Sequence, residues 1–141
     1  MDAAREASTT RAELETRTRS WVSLWHAPFD RARFDELHAD DFEDCASGGR
    51  PSTKRGFESG LELFLRAFPD VRTEVDDLVV DVERARVAVR WTARGTNRER
   101  YLGVGPTERA TRITGIEIVE FARGRVVRRW GEWDASDHLR G

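Results

Sequence analysis

The N-terminal part of the chain carries apolar residues at helical spacing. Thr9 or Thr10 can cap a first helix, and Glu13 is placed to complete a capping box with Thr10. An apolar stripe follows at positions 14, 21, 22 and 25, and Pro28 is expected to end this helix. Asp30 can cap a second, short helix, in which positions 34, 37 and 38 share one face.

A polar segment then leads into the clearest amphipathic pattern in the chain. Residues 40–54 contain Gly48, Gly49 and Pro51, which predict an extended piece followed by a loop. A third helix is predicted near residues 54–67, where apolar side chains recur at i, i+4, i+7, i+8 and i+11 counted from Phe57.

From residue 71 onward the apolar period changes to two, which is typical of strands. The predicted strands cover residues 71–82, 86–96, 99–103, 109–121 and 125–134. The pattern therefore predicts an α+β fold, in which three N-terminal helices pack on one face of a curved, mainly antiparallel sheet. Such a sheet curls into a cone, and the inside of the cone is the expected ligand site.

An acidic side chain falls among apolar ones on the strand predicted at 109–121. Glu117 shares its face with three large apolar residues of that strand. A carboxylate removed from water is costly unless it is paired or used in catalysis. Two interpretations are open, and both can hold. Glu117 forms an ion pair with Arg129, Arg90 or Arg94, or it is a carboxylate with a tuned pKa inside a ligand cavity.

The strand predicted at 125–134 supplies partners for this carboxylate. Alternation puts Val127, Arg129, Gly131 and Trp133 on one face and Glu132 on the opposite face. If Arg129 shares the inner face with Glu117, it keeps that carboxylate ionised and lowers its pKa, which favours a general base. Gly131 leaves room for a ligand or for close packing. Glu132 stays a catalytic candidate because a bulge would turn it inward.

Further candidates lie outside these two strands. Asp44 follows the second helix, either as a loop-capping residue or as a second acid or base. Its neighbour Cys45 is more typical of a small buried apolar residue than of a nucleophile. Aromatic side chains can stack on a flat ligand. Besides Arg129, Gly131 and Trp133, the residues expected to bind substrate are Trp25, Phe64, Trp91 and Gly115.

Composition narrows the classes of function. With 35% charged residues and a net charge of −2, no general attraction to nucleic acid or to an anionic membrane is expected. No His/Cys spacing supports a metal site and no glycine-rich phosphate loop is present, so we expect neither metal nor cofactor. The chain has a single Cys and no apolar run near the ~20 residues that span a bilayer. We expect a cytoplasmic protein with a frayed segment at 1–8 and one domain at 9–141.

Four segments, in order along the chain, resemble one known family. They are FPDV at 68–71, RWTARGTN at 90–97, YLGVGPTERATRITGI at 101–116 and GRVVRRWGEWD at 124–134. Together they resemble the SnoaL-like polyketide (ester) cyclases over about residues 30–137. The resemblance implies the nuclear-transport-factor-2-like, or cystatin-like, cone. That cone is similar in architecture to ketosteroid isomerases, scytalone dehydratases and limonene epoxide hydrolases.

The resemblance also implies a chemistry and a departure from it. In that family an aspartate on the last strand and a histidine on the preceding strand move the protons of an intramolecular aldol ring closure, without metal or cofactor. In this chain the aspartate position falls on Gly131, the histidine position on Glu117, and the position after the second helix on Asp44. The usual aspartate is therefore missing, and the resemblance implies a rearranged site in which Glu117 and Asp44 carry the proton transfers.

Three functions remain open. The first is a cofactor-independent cyclase or isomerase acting on an apolar or aromatic carbonyl compound, with Glu117 as general base, Asp44 as second acid or base, and Arg129 stabilising an enolate. The second is a non-catalytic ligand-binding module with a structural ion pair. The third is an epoxide-opening enzyme, for which Asp44, Arg94 and Glu117 would have to converge. By resemblance we also expect a homodimer through the outer sheet face, which carries Thr92, Ile116, Ile118 and Trp130.

Overall fold

Three helices precede the long strands, as predicted. The computed structural model describes residues 9–141, and the expectation for residues 1–8 lies outside that range. Helix α1 covers Arg11–Val22, α2 covers Arg31–Leu37, α3 covers Lys54–Ala67, and a short helix α4 at the C-terminal end covers Ser136–Leu139. None of the helices within residues 9–141 combines the length and apolar character needed to cross a bilayer.

The ends of α1 follow from local hydrogen bonding. The side chain of Thr10 accepts the backbone N–H of Glu13 at 3.1 Å, which is the predicted N-cap. The helix ends at Val22 and not near Pro28. The reason is that the chain tightens to i→i−3 hydrogen bonds, from Trp25 to the Val22 carbonyl for example, and this turn carries the Trp25 side chain into the core.

Five strands form one curved sheet in the order β1-β5-β4-β3-β2. Strand β1 (His38–Asp44) runs parallel to β5 (Arg125–Asp134), whereas β2 (Arg72–Asp81), β3 (Arg86–Thr96) and β4 (Ala110–Ala122) continue the sheet with antiparallel pairing. The predicted α+β fold is thereby confirmed. Its buried core lies between the helices and the inner face of the sheet, where Leu14, Phe34, Val87 and Val119 are fully enclosed.

The strand predicted at 99–103 is wrong. That segment is a loop, and only an isolated bridge joins Tyr101 to Val104. Leu102 and Gly103 both adopt positive φ, at 51° and 78°, so the chain turns where a strand would have to stay extended.

A bulge at the start of β5 resets the alternation of its side chains. Phe121 pairs with Val126 while Glu120 pairs with Arg128, so Val127 is the additional residue. The predicted grouping of Val127 with Arg129 is therefore wrong, since Val126 takes the buried position. Beyond the bulge, Arg129 faces the core as predicted.

Candidate functional site

A single guanidinium joins two buried carboxylates on the inner face of the sheet. Arg129 lies beside β4, and both its Nε and its Nη2 donate to Oε1 of Glu117, at 2.9 and 2.5 Å. The parallel register of β1 and β5 places Asp44 opposite Arg129, and Oδ1 of Asp44 accepts from Nη1 at 2.7 Å. Glu117, Arg129 and Asp44 are 1%, 3% and 1% exposed. We call these three residues the ion cluster.

The second oxygen of Glu117 is bound by two tryptophans. Its Oε2 accepts the indole N–H of Trp133 at 2.5 Å and that of Trp91 at 3.3 Å. Indole and guanidinium N–H groups only donate, so all four contacts are complementary to a carboxylate. Both oxygens of Glu117 are thus bound by hydrogen-bond donors, an arrangement that suits the ionised carboxylate.

Asp44 has the contacts of a loop-capping residue, one of the two interpretations that its position in the sequence left open, and it also binds two arginines. Its Oδ1 accepts the backbone N–H of Ala46 at 3.1 Å, as a loop-capping residue does. Its Oδ2 accepts from Nη2 of Arg50 at 2.7 Å. The carboxylate therefore fixes the loop after β1 and also holds two guanidinium groups beside each other.

Burial and charge act in opposite directions within the ion cluster. Burial raises the pKa of Glu117 above its ordinary value, and the charge and hydrogen bonds of Arg129 only partly offset this. Arg129 does lower the pKa of Glu117, as predicted, but the expected net lowering is wrong, because desolvation is the larger effect at a side chain this enclosed. At Arg129 burial disfavours the charge, but the two carboxylates raise its pKa above the ordinary value.

The absence of a side chain at Gly131 makes the ion cluster possible. A Cβ at this position would lie 2.3 Å from Nη2 of Arg129 and 2.3 Å from Oε1 of Glu117. No carbon atom fits at such distances. The space that a side chain would need at position 131 is therefore already taken by the ion pair.

An aromatic cavity of about 380 Å³ lies next to the ion cluster. Four of the residues expected to bind substrate, namely Trp25, Arg129, Gly131 and Trp133, form part of its wall. Glu117 and Asp44 are not among the lining residues. Glu117 borders a separate crevice of about 10 Å³ beside Trp91. Arg129 is therefore the member of the ion cluster that meets the cavity directly.

Three of the predicted substrate-binding residues support the cavity wall without lining it. Phe64 and Trp91 contact the Trp133 ring edge to face, with centroids 5.6 and 4.9 Å away. A Cβ at Gly115 would lie 2.3 Å from the Trp91 ring, so the glycine provides the space for that ring. Phe64 and Trp91 therefore fix the orientation of the Trp133 indole, which donates to Glu117.

The remaining candidates lie apart from the ion cluster. Glu132 is exposed and pairs with Ile116, and although it contributes to the cavity wall it does not reach the three clustered side chains. Arg94 is exposed between Arg72 and Arg112, so it does not converge with Asp44. Cys45 is exposed, so the expectation of a buried residue is wrong. It directly follows β1, which is an edge strand of the sheet.

Sequence patterns missed several residues of the cavity wall, among them Arg50, Phe57 and Tyr101. Phe57 was visible only as part of the apolar stripe of α3, yet its ring lies 5.1 Å from the guanidinium carbon of Arg129. Arg50 lies in a polar loop, where no sequence pattern indicates which side chains face a cavity. Tyr101 lay in the segment predicted as a strand, although it is the chain's one tyrosine.

The buried histidines have structural partners. Nδ1–H of His38 donates to the Phe34 carbonyl at 2.8 Å, and its Nε2 accepts the indole N–H of Trp21 at 2.9 Å. Burial lowers the pKa of His38 to about 4. Within residues 9–141, no three His, Cys, Asp or Glu side chains are grouped so that they could hold a metal ion.

Comparison with known proteins agrees with this architecture. The sequence profile of the SnoaL-like polyketide cyclases matches residues 16–140, so the chain belongs to that family. Among solved structures it is similar to TsrD from Streptomyces laurentii, with a TM-score of 0.83 and 18% identity over 94% of this chain and 96% of that one. No curated protein matches the chain significantly.

Two further structures are similar and carry proposed activities. AclR from Streptomyces galilaeus, proposed to be a hydroxylase, has a TM-score of 0.80 and 24% identity over 92% of this chain and 84% of that one. IdmH from Streptomyces antibioticus, proposed to be a polyketide cyclase, has a TM-score of 0.76 and 25% identity over 90% of this chain and 96% of that one. The likeness to AclR shows a shared fold. The likeness to IdmH agrees with the membership of the polyketide cyclase family.

Proposed function

We propose that the protein is a cofactor-independent enzyme of the cyclase or isomerase type, acting on a flat aromatic or apolar carbonyl compound. The observation that carries this proposal is the guanidinium of Arg129 in the wall of an aromatic cavity. A fixed positive group in a site screened from water stabilises the negative charge that develops on a carbonyl oxygen when an adjacent C–H is deprotonated. Membership of the polyketide cyclase family supports the same class of reaction.

Glu117 is the proposed general base. A pKa raised by burial brings a carboxylate closer to the operating pH, which improves a base. Trp133 stands between its Oε2 and the cavity, since the indole lines the cavity and donates its N–H to that oxygen. In this proposal the bound substrate displaces the indole contact, Oε2 takes the proton from carbon, and Arg129 stabilises the enolate. Asp44 keeps Arg129 in place.

Proton abstraction can be tested before the natural substrate is known. 2-Tetralone is a flat bicyclic ketone, and exchange of its benzylic α-proton for deuterium in D₂O is followed by NMR. The wild type is expected to accelerate exchange, and Glu117→Gln is expected to lower that acceleration by about 10²–10⁴-fold. Glu74→Gln is the matched control, because it makes the same change at an exposed carboxylate of β2 that does not line the cavity.

The outcomes of this experiment separate the candidate functions. Equal exchange by folded Glu117→Gln and wild type would reject Glu117 as the base. Binding of 2-tetralone without any exchange above background would favour the non-catalytic ligand-binding module.

One observation favours a second candidate, an epoxide-opening enzyme. Asp44 and Glu117 flank a central arginine, as such a site requires, although that arginine is Arg129 and not Arg94. Incubation with styrene oxide in ¹⁸O-labelled water tests this candidate. Labelled diol formed by the wild type but not by Asp44→Asn would establish it, and absence of diol would remove it.

We also propose that the protein forms a homodimer through the outer face of the sheet. Ile116 and Ile118 are 55% and 40% exposed there, and Trp130 extends the apolar strip. Thr92 is buried and hydrogen-bonded to Asp76, so it adds little to this surface. Light scattering that gives a monomer at micromolar concentration would contradict the dimer.

A further inference from the structure

Tyr101 presents an unpaired hydroxyl group beside the proposed site. Its side chain is 9% exposed and lines the same cavity as Arg129 and Trp133. No hydrogen bond joins this hydroxyl to any residue within 9–141. Nor is it among the sealed, unpaired side-chain atoms of that range. The charge of Arg50, which lines the same cavity, acts on the pKa of this hydroxyl, which places the hydroxyl on the cavity side. A buried tyrosine hydroxyl normally has a partner, and here the cavity is where one can be supplied.

The ring of Tyr101 is held firmly in the wall. It meets Phe64 and Phe68 edge to face, with both centroids 5.6 Å away. Its backbone exchanges hydrogen bonds with Val104 at 2.8 and 3.0 Å. These contacts come from α3 and from the loop itself, so the hydroxyl is positioned before any ligand enters.

A third anchor comes from the C-terminal end of the chain. Nε2–H of His138, in α4, donates to the Tyr101 carbonyl at 2.6 Å, and its ring is fully buried. Asp137 holds α4 against the sheet, since its Oδ2 accepts the backbone N–H of Arg112 at 2.8 Å. The short C-terminal helix therefore fixes the loop that carries Tyr101.

The polar groups around the cavity are mostly donors. Arg129 and Arg50 offer N–H groups, and their buried carboxylate partners do not reach the cavity wall. Burial raises the pKa of Tyr101 to about 12, so its hydroxyl keeps its proton and can donate throughout the physiological range. The exposed carboxylate of Glu132 contributes to the wall as an acceptor. A ligand oxygen bearing negative charge fits the Arg129 side of this set.

We propose that Tyr101 is a substrate-binding residue whose hydroxyl donates a hydrogen bond to the carbonyl or enolate oxygen of the ligand, together with Arg129. This deepens the proposed function and rests on it. It also assigns the polarity of the ligand: the oxygen that becomes negative lies between the phenol and the guanidinium.

The experiment uses 2-naphthol, which has the shape of the enol of 2-tetralone, and naphthalene, which lacks the oxygen. Binding to wild type and to Tyr101→Phe is followed through tryptophan fluorescence, with urea unfolding to check that the variant is folded. 2-Naphthol is neutral near pH 7, and a hydrogen bond between two neutral groups changes affinity by roughly two- to tenfold. Tyr101→Phe should therefore weaken 2-naphthol binding by about that factor. Naphthalene should bind both proteins equally.

A spectroscopic readout distinguishes contact from a structural effect. Because the chain has a single tyrosine, ¹³Cζ-labelled tyrosine gives one NMR resonance, which should move with 2-naphthol and not with naphthalene. Equal 2-naphthol affinities for the two proteins, or a resonance that does not respond, would overturn the role of Tyr101 while leaving the proposed function intact. Failure of the wild type to bind 2-naphthol at all would instead count against the proposed function, and with it this inference.

Discussion

Replacing Gly131 by alanine tests whether the ion cluster depends on the empty position at this residue. The added Cβ would lie 2.3 Å from Arg129 Nη2 and from Glu117 Oε1, and ordinary contact begins near 3.4 Å. Each atom would have to retreat by about 1 Å, and the guanidinium–carboxylate contact cannot survive this unchanged. Backbone strain does not contribute, because Gly131 is not among the residues with positive φ.

The magnitude follows from the two effects combined. Overpacking a tight site costs about 1–3 kcal/mol, and breaking a buried ion pair by removing one partner costs about 3–5 kcal/mol. Arg129 keeps Asp44 as a partner, so only part of the second cost applies. We expect Gly131→Ala to lower the free energy of unfolding by about 2–4 kcal/mol, measured by urea denaturation with tryptophan fluorescence and circular dichroism.

A double-mutant cycle supplies the control. In a Glu117→Ala background the carboxylate oxygen is gone and Nη2 of Arg129 is free to move, so the cost of Gly131→Ala should fall below about 1 kcal/mol. The reasoning is refuted if Gly131→Ala costs less than about 1 kcal/mol in the wild type, or if its cost is the same in both backgrounds.

Three further predictions concern titration and assembly. The pKa of Tyr101 is raised to about 12, so the unfolded chain loses this proton first and the free energy of unfolding should fall by about 2 kcal/mol between pH 10 and 12. Tyr101→Phe should abolish that fall, and a tyrosinate absorbance midpoint near 10 would contradict it. The pKa of His38 is lowered to about 4, so the unfolded chain binds the proton first. The free energy of unfolding should therefore fall by about 3 kcal/mol as the pH drops from 6.5 to 4. His38→Gln should reduce this fall in urea titrations, and an unchanged fall would rule out His38 as its source. Ile118→Glu should convert a dimer into a folded monomer in light scattering; a dimer that persists would place the interface elsewhere.

The sequence alone predicted the sheet, and it offered the pair of Glu117 with Arg129 as one of three possible ion pairs. A period of two along residues 109–121 and 125–134 puts Glu117 and Arg129 on inward positions, and hairpin pairing makes them neighbours. Such alternation is local, so it can be read residue by residue. Gly131 was also predicted to leave room, but for a ligand or for close packing and not for the side chains of Arg129 and Glu117 that occupy this space.

The contact of Asp44 with Arg129 could not be predicted, because it joins residues far apart in the chain. Asp44 reaches Arg129 only because β1 pairs in parallel with β5, and nothing near residue 44 encodes that partner. The bulge that makes Val127 an additional residue has no signal in the apolar pattern. Tyr101 was misassigned to a strand because its segment contains apolar and aromatic residues, while the turn at Leu102 depends on a backbone conformation that the pattern does not show.

We expect Arg129, held by Glu117 and Asp44, to bind a carbonyl or enolate oxygen in the aromatic cavity that it lines. A crystal structure of the protein soaked with 2-naphthol would show this contact. The naphthalene rings should lie within the cavity beside Trp133, with the ligand oxygen within hydrogen-bond distance of the Arg129 guanidinium. Naphthol bound only on the outer face of the sheet, or seated in the cavity with its oxygen turned away from Arg129, would contradict it.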